Sequence, residues 1–126
     1  MTEAKALAEQ SLADIQSNAD VLPEHLALSQ ISLGNVLMEL RQFDDAIQQY
    51  QSAHALYLQE WPADHPKVAL SAHNLATAHR QNNQCDLAIP LYELAIEANT
   101  KRLGADHSRV KASRAQWSLC QRTEAN

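Results

Sequence analysis

Six histidines and two cysteines are the residues of this 126-residue chain whose types could bind a metal or drive catalysis. Their spacing argues against both. Two ligands on one helix meet at one ion only when they sit on the same face, three or four residues apart. His73 and His79 are six apart, about 240° around a helix at 100° per residue, so they cannot share a ligand. Neither Cys85 nor Cys120 has a cysteine near it in sequence, as a zinc motif needs. Both are expected to be small buried side chains in a reducing compartment rather than a disulfide. The chain has no glycine-rich phosphate loop, and no serine sits in a nucleophile elbow. The expectation is therefore no catalytic residue, no metal and no cofactor. What remains is the chemistry of recognition, above all the amides of Asn35 and Asn74, which both donate and accept hydrogen bonds.

The elements that would position these amides follow from an internal repeat. Asp64-His65 recurs 42 residues later as Asp106-His107, and the same offset pairs Ala27-Leu28-Ser29 with Ala69-Leu70-Ser71. It also pairs Leu33 with Leu75, Asp44 with Asp86, Ala46-Ile47 with Ala88-Ile89, Tyr50 with Tyr92 and Ala53 with Ala95. A fixed period of this size marks a stacked array in which each unit buries its apolar face against its neighbours. Only two Gly and four Pro, among many Ala, Leu, Gln and Glu, make the composition helical. The apolar periodicity predicts a lone amphipathic helix over 4–20, a hairpin over 24–61, a second over 66–103 and a last helix over 108–121. These six helices read as one all-α domain spanning 1–126. Asp44 and Asp86 are expected to cap the second helix of each hairpin, and Gly104 to stop the last of these. Pro90 is placed four residues past its cap, where only the first helical hydrogen bond would be lost. His65 and His107 occupy equivalent links and read as structural; His54 and His79 read as core-edge residues.

The small residues and aromatics of the two hairpins carry a resemblance. Leu33-Gly34, Ala46, Tyr50 and Ala53 in the first, with Leu75-Ala76, Ala88, Tyr92 and Ala95 in the second, resemble tetratricopeptide repeats. Asp64-His65-Pro66 and Asn74-Leu75-Ala76, at a 42-residue period, resemble the kinesin light chain variety of that repeat. Gln30 and Ala72 stand where the family has an early aromatic. The resemblance implies a right-handed superhelix of antiparallel hairpins whose concave groove binds a peptide segment of a partner. The first helix of each hairpin would line that groove, presenting Leu28, Ile31, Asn35, Met38 and Glu39 from one and Leu70, His73, Asn74, Thr77 and Arg80 from the next. In this reading Asn35 and Asn74 hold the peptide backbone. His73, Thr77 and Arg80 add polar selectivity, and Ile31, Met38 and Leu70 form an apolar floor. The basic residues that grip a chain terminus in some family members are replaced by Ile31, Ala112 and Gln116, with Lys111 and Arg114 only nearby. An internal peptide and a helix stay open as ligands.

Charge and hydropathy narrow the partner. A net charge of −5 with scattered basic residues argues against a nucleic-acid interface, and none is expected. No apolar run reaches the length of a membrane span and Met1 to Gln10 lack the order of a signal peptide, so the expected location is cytoplasmic. The polar outer faces of the two single helices read as caps, which favours a monomer. Two hairpins fall short of the usual three repeats, which keeps a dimer or an excerpt of a longer array open. The rival to groove binding is a self-associating scaffold using Leu7, Leu12, Trp117 or Leu119 on the end helices.

Overall fold

The computed structural model describes residues 2–16 and 22–125. Among them are six helices and no strand: α1 Thr2–Gln16, α2 Pro23–Glu39, α3 Phe43–Glu60, α4 Pro66–Gln81, α5 Cys85–Leu103 and α6 Ser108–Ala125. The helix expected over 4–20 is present to Gln16, and its positions 17–20 lie outside the described residues. The helices group into two compact units, Met1–Glu60 and Trp61–Asn126.

In the first unit α2 and α3 form a hairpin with α1 against α2. The core is the face that periodicity predicted: Leu33 and Leu37 from α2, Ala46, Ile47, Tyr50, Ala53 and Tyr57 from α3, and Leu12 from α1. Alanines at the contact let the helices approach closely, and the Tyr50 ring rests against the backbone of Gly34. The turn is closed by a Schellman motif, in which Gln42 N–H donates to Leu37 O at 2.9 Å and Arg41 takes the left-handed position with φ 61°.

An arginine there is a strained choice. A side chain in the left-handed region costs about 1–2 kcal/mol, partly offset by the Arg41 guanidinium 5.2 Å from the Phe43 ring centroid, worth about 0.5 kcal/mol at an exposed site. Arg41→Gly relieves the strain but adds unfolded-chain entropy. The balance should raise stability by about 0.5 kcal/mol, read as a higher urea midpoint with an unchanged slope. A lower midpoint would show that the aromatic contact outweighs the strain.

The second unit repeats the hairpin with α4 and α5 and adds α6 against α5. Ala76, Cys85, Ala88, Tyr92 and Cys120 form a buried cluster, with Ile89, Leu91 and Trp117 packed on it. Three details correct the sequence reading. Cys85 and Cys120 are joined as a disulfide, with Cα atoms 5.2 Å apart, inside the range such a bond spans. Cys85 opens α5 and Cys120 lies on α6, so it is the packing of those helices, not any local spacing, that pairs them. The pairing also removes the support that reduced cysteines lent to a cytoplasmic location. Next, α3 begins at Phe43 and α5 at Cys85, so Asp44 and Asp86 lie inside the first turn, where carboxylates favour the helix dipole. They do not occupy the cap positions. With the cap at Gln84, Pro90 sits six residues in, and the amide it lacks is the one that would have reached Asp86 O.

The links between helices carry their own device. His65 Nδ1 accepts from Lys67 N–H at 3.1 Å and His107 Nδ1 accepts from Arg109 N–H at 3.1 Å. Each imidazole thus caps the helix that follows it, the physical content of the repeated Asp-His pair. Asp64 binds Lys101 Nζ at 3.0 Å and Arg102 Nη2 at 3.1 Å, tying the start of the unit to the end of α5. Hydrogen bonds from Lys101 and then Arg102 hold its carboxyl below the usual range. Gly104 ends α5 at φ 92°, ψ 154°, a region essentially confined to glycine.

Candidate functional site

The residues expected to hold a partner all keep some exposure on α2 and α4, but several of their polar groups are already engaged. The buried Tyr50 hydroxyl donates to Asn35 Oδ1, leaving Asn35 its amide N–H groups alone to offer. Burial of Tyr50 pushes its phenol up to about 12. The same device recurs 42 residues on. Tyr92 OH lies 2.8 Å from Thr77 Oγ1, Thr77 donates to His73 O at 3.0 Å, and Arg80 Nε donates to Tyr92 OH at 3.4 Å. Thr77 therefore locks Tyr92 in place as Asn35 locks Tyr50. Asn74 is half-buried; Ile31 and Met38 are half-buried on α2. Leu28 and Leu70 are 49% and 47% exposed, far more than core packing leaves.

Leu70 and His73 meet residues that sequence spacing did not connect with them. A cavity of about 140 Å³ opens in the second unit, lined by Pro66, Leu70 and His73 of α4, Asn99 of α5, and Arg109, Ala112 and Ser113 of α6. Its wall is mostly apolar. His73 Nδ1 lies 2.8 Å from Ser113 Oγ, and the imidazole meets the Tyr92 ring edge-on with centroids 5.5 Å apart. This histidine–serine pair is not a nucleophilic centre. Ser113 is 1% exposed, and no described acidic residue lines the cavity to orient the imidazole. The described residues contain no group of three or more histidine, cysteine or acidic side chains placed to hold a metal ion. Asn99, at 5% exposure, was missed from the sequence. It lies on the second helix of the hairpin, and only the folded α6 turns that face into a site.

Two half-buried imidazoles set a pH response. Burial, and then the charge of Arg80, lower the His73 pKa below 6.5, and burial lowers that of His54. As pH falls below 6.5 the unfolded chain takes up these protons before the folded one, so stability is full above that value and declines beneath it. Thermal melts should show Tm falling between pH 7 and pH 5, with a smaller fall in His73→Gln. An equal fall in both would exclude His73 as a source.

The end helices offer less for self-association than expected. Leu12 is buried and Trp117 packs on the core, which leaves Leu7, 71% exposed, and Leu119, 45% exposed. Among the described residues no helix is long and apolar enough to cross a membrane.

Comparison with known proteins agrees with this geometry. The crystal structure of BtubC (BKLC) from P. vanneervenii matches with a TM-score of 0.85 at 20% sequence identity, covering 98% of this chain and 48% of that one. The chain thus spans about half the length of that protein, and the likeness is one of fold. No curated protein matches the chain. The family model for the tetratricopeptide repeat matches residues 25–115, which takes in both hairpins and the first half of α6. With the 42-residue period, the paired helices and the tyrosines seated against small residues, this shows that the chain belongs to the tetratricopeptide repeat family.

Proposed function

We propose that this domain is a non-enzymatic interaction module that holds a segment of a partner protein on the outward faces of its first-position helices. Tetratricopeptide repeats are in general protein-interaction modules, and the observation that carries the reading here is the cavity beneath Leu70 and His73. It places a half-exposed leucine beside an unfilled, mostly apolar hollow, an arrangement suited to a partner side chain. Asn74 and the free amide N–H of Asn35 add contacts to peptide backbone, and Ile31 and Met38 supply apolar contact. The partner is a protein rather than nucleic acid, given the net charge of −5.

The test is capture from a host lysate by the wild-type chain and by Leu70→Ser. Residue 70 is 47% exposed, so the variant keeps the fold. A partner retained by wild type and lost by the variant supports the site; one retained equally by both moves it elsewhere. A second reading, self-association, rests on the exposed Leu7 and Leu119. Mass in solution, compared with that of Leu7→Glu and Leu119→Glu, decides it.

A further inference from the structure

The two end helices are half-hairpins of opposite kind. In each hairpin a first helix packs on a second, α2 on α3 and α4 on α5, and α5 packs in turn on the first-type helix that follows it, α6. α1 packs on α2 in that last way. Among the described residues, then, α1 is a second helix with no first helix before it, and α6 is a first helix with no second helix after it. The 42-residue period locates the faces this leaves open. Two periods after Ala4, Leu7, Ala8 and Ser11 stand Ala88, Leu91, Tyr92 and Ala95. Ala88, Tyr92 and Ala95 are 0% exposed, and Leu91 packs on the cluster that α5 shares with Ala76 of α4. On α1 the same face is bare: Ala4, Leu7 and Ser11 are exposed and Ala8 is half-buried. One period before Lys111, Arg114, Ser118 and Leu119 of α6 stand Ala69, Ala72, Ala76 and Thr77 of α4. The three alanines are fully buried, and Thr77 Oγ1 lies 2.8 Å from the Tyr92 hydroxyl of α5. On α6, Lys111, Arg114 and Leu119 are exposed and Ser118 is half-buried.

We propose that these two faces bind each other between copies of this chain, α1 of one copy packing antiparallel on α6 of another to complete a hairpin. The proposal rests on the self-association reading and specifies it: the contact joins two different faces head to tail, not like on like. Two observations favour a second copy as the occupant. The first is charge. From Ser108 to Arg122, α6 carries Arg109, Lys111, Arg114 and Arg122 and no carboxylate, whereas α1 carries Glu3, Glu9 and Asp14 against Lys5 alone. Like ends therefore repel, and α1 attracts α6. In an antiparallel pair the start of α1 lies by the end of α6, which sets Glu3 near Arg122 and Asp14 near Lys111. The second is size. Where the hairpins have Tyr50 and Tyr92, α1 has Ala8; where they have Leu33 and Leu75, α6 has Trp117. Bulk missing from one face is present on the other, as close packing requires. One helix covers a small area, so the association belongs to concentrated protein.

The experiment measures mass in solution for the full chain, for Leu7→Arg, for Leu119→Arg and for an equal mixture of the two variants. Residues 7 and 119 are 71% and 45% exposed, so each variant should melt close to wild type. Leu7→Ser and Leu119→Ser replace any variant that does not. Arginine at both positions keeps the altered ends from attracting each other. The wild-type mass is expected to climb above the 14.0 kDa of one chain as concentration rises to the millimolar range. Each variant alone should stay at 14.0 kDa, because every copy has lost the same face. Mixed, they should reach twice that mass and go no further, the intact α6 of the Leu7→Arg copy taking the intact α1 of the Leu119→Arg copy. A variant that still associates by itself would overturn the head-to-tail pairing and leave self-association standing, since a like-on-like contact needs one kind of face only. A mixture that stays at one chain's mass while wild type associates would overturn it in the same way. A wild-type chain that stays at 14.0 kDa throughout would overturn this proposal and the self-association reading together.

Discussion

Reducing the Cys85–Cys120 disulfide is expected to lower the stability of the Trp61–Asn126 unit by about 3–4 kcal/mol. The bond closes a loop of 35 residues, and the chain-entropy cost that it removes from folding lies between about 3 kcal/mol for 15 residues and about 4.7 for 100. Total stabilities are only about 5–15 kcal/mol, so the effect should be plain in urea titration with and without a phosphine reductant. Cys85→Ala with Cys120→Ala should resemble the reduced protein and lose its response to reductant. A wild-type midpoint that does not move on reduction would sink the idea. The bond also matters to the candidate site, because Cys120 fastens the helix whose Arg109, Ala112 and Ser113 make one wall of the cavity. Binding of any captured peptide should therefore weaken in the reduced form.

That disulfide marks where sequence reading stopped. The hairpins were legible because they are local: a 42-residue offset and helical periodicity placed Leu33, Tyr50, Leu75 and Tyr92, and all four are buried. Contacts made by α6 with the helices before it are not local. Cys85 with Cys120 and His73 with Ser113 lie 35 and 40 residues apart, and no period links them. The polar residues expected on the groove side of α2 and α4 keep some exposure. Their availability was not readable, since whether Asn35 and Thr77 face a partner or a tyrosine depends on where the aromatic hydroxyl ends. The helix starts shifted by two residues for a similar reason. Asp44 and Asp86 look like caps by type, yet the Schellman turns that end the preceding helices return the chain to helix two residues earlier.

Gly34→Val is expected to destabilise the Met1–Glu60 unit by about 3 kcal/mol, against the direction that helix propensity alone would give. A Cβ at position 34 would stand 2.5 Å from Tyr50 Cε1 and 2.8 Å from Cδ1, closer than real contacts allow. The ring cannot swing clear, because Tyr50 is 4% exposed and its hydroxyl is bonded to Asn35. Gly34→Ala sets two terms against each other. Helix propensity favours alanine by about 1 kcal/mol, and overpacking costs about 1–3, so a net loss near 1 kcal/mol is expected. Valine adds two methyl groups and a stiffer side chain, and the clash then dominates. In the second repeat the equivalent pair, Ala76 and Tyr92, is fully buried with the extra methyl in place, so the demand for glycine comes from how Tyr50 seats and not from the repeat as such. Tyr50→Leu in the Gly34→Val background should recover about 1–2 kcal/mol of coupling in a double-mutant cycle. Because the ring stays seated, the Tyr50 phenol, held at about 12 by burial, should stay near that value in an ultraviolet pH titration of Gly34→Val. Full wild-type stability in Gly34→Val, or a phenol that titrates near 10, would show that the ring and not the backbone gives way, and zero coupling would show that the loss does not come through Tyr50.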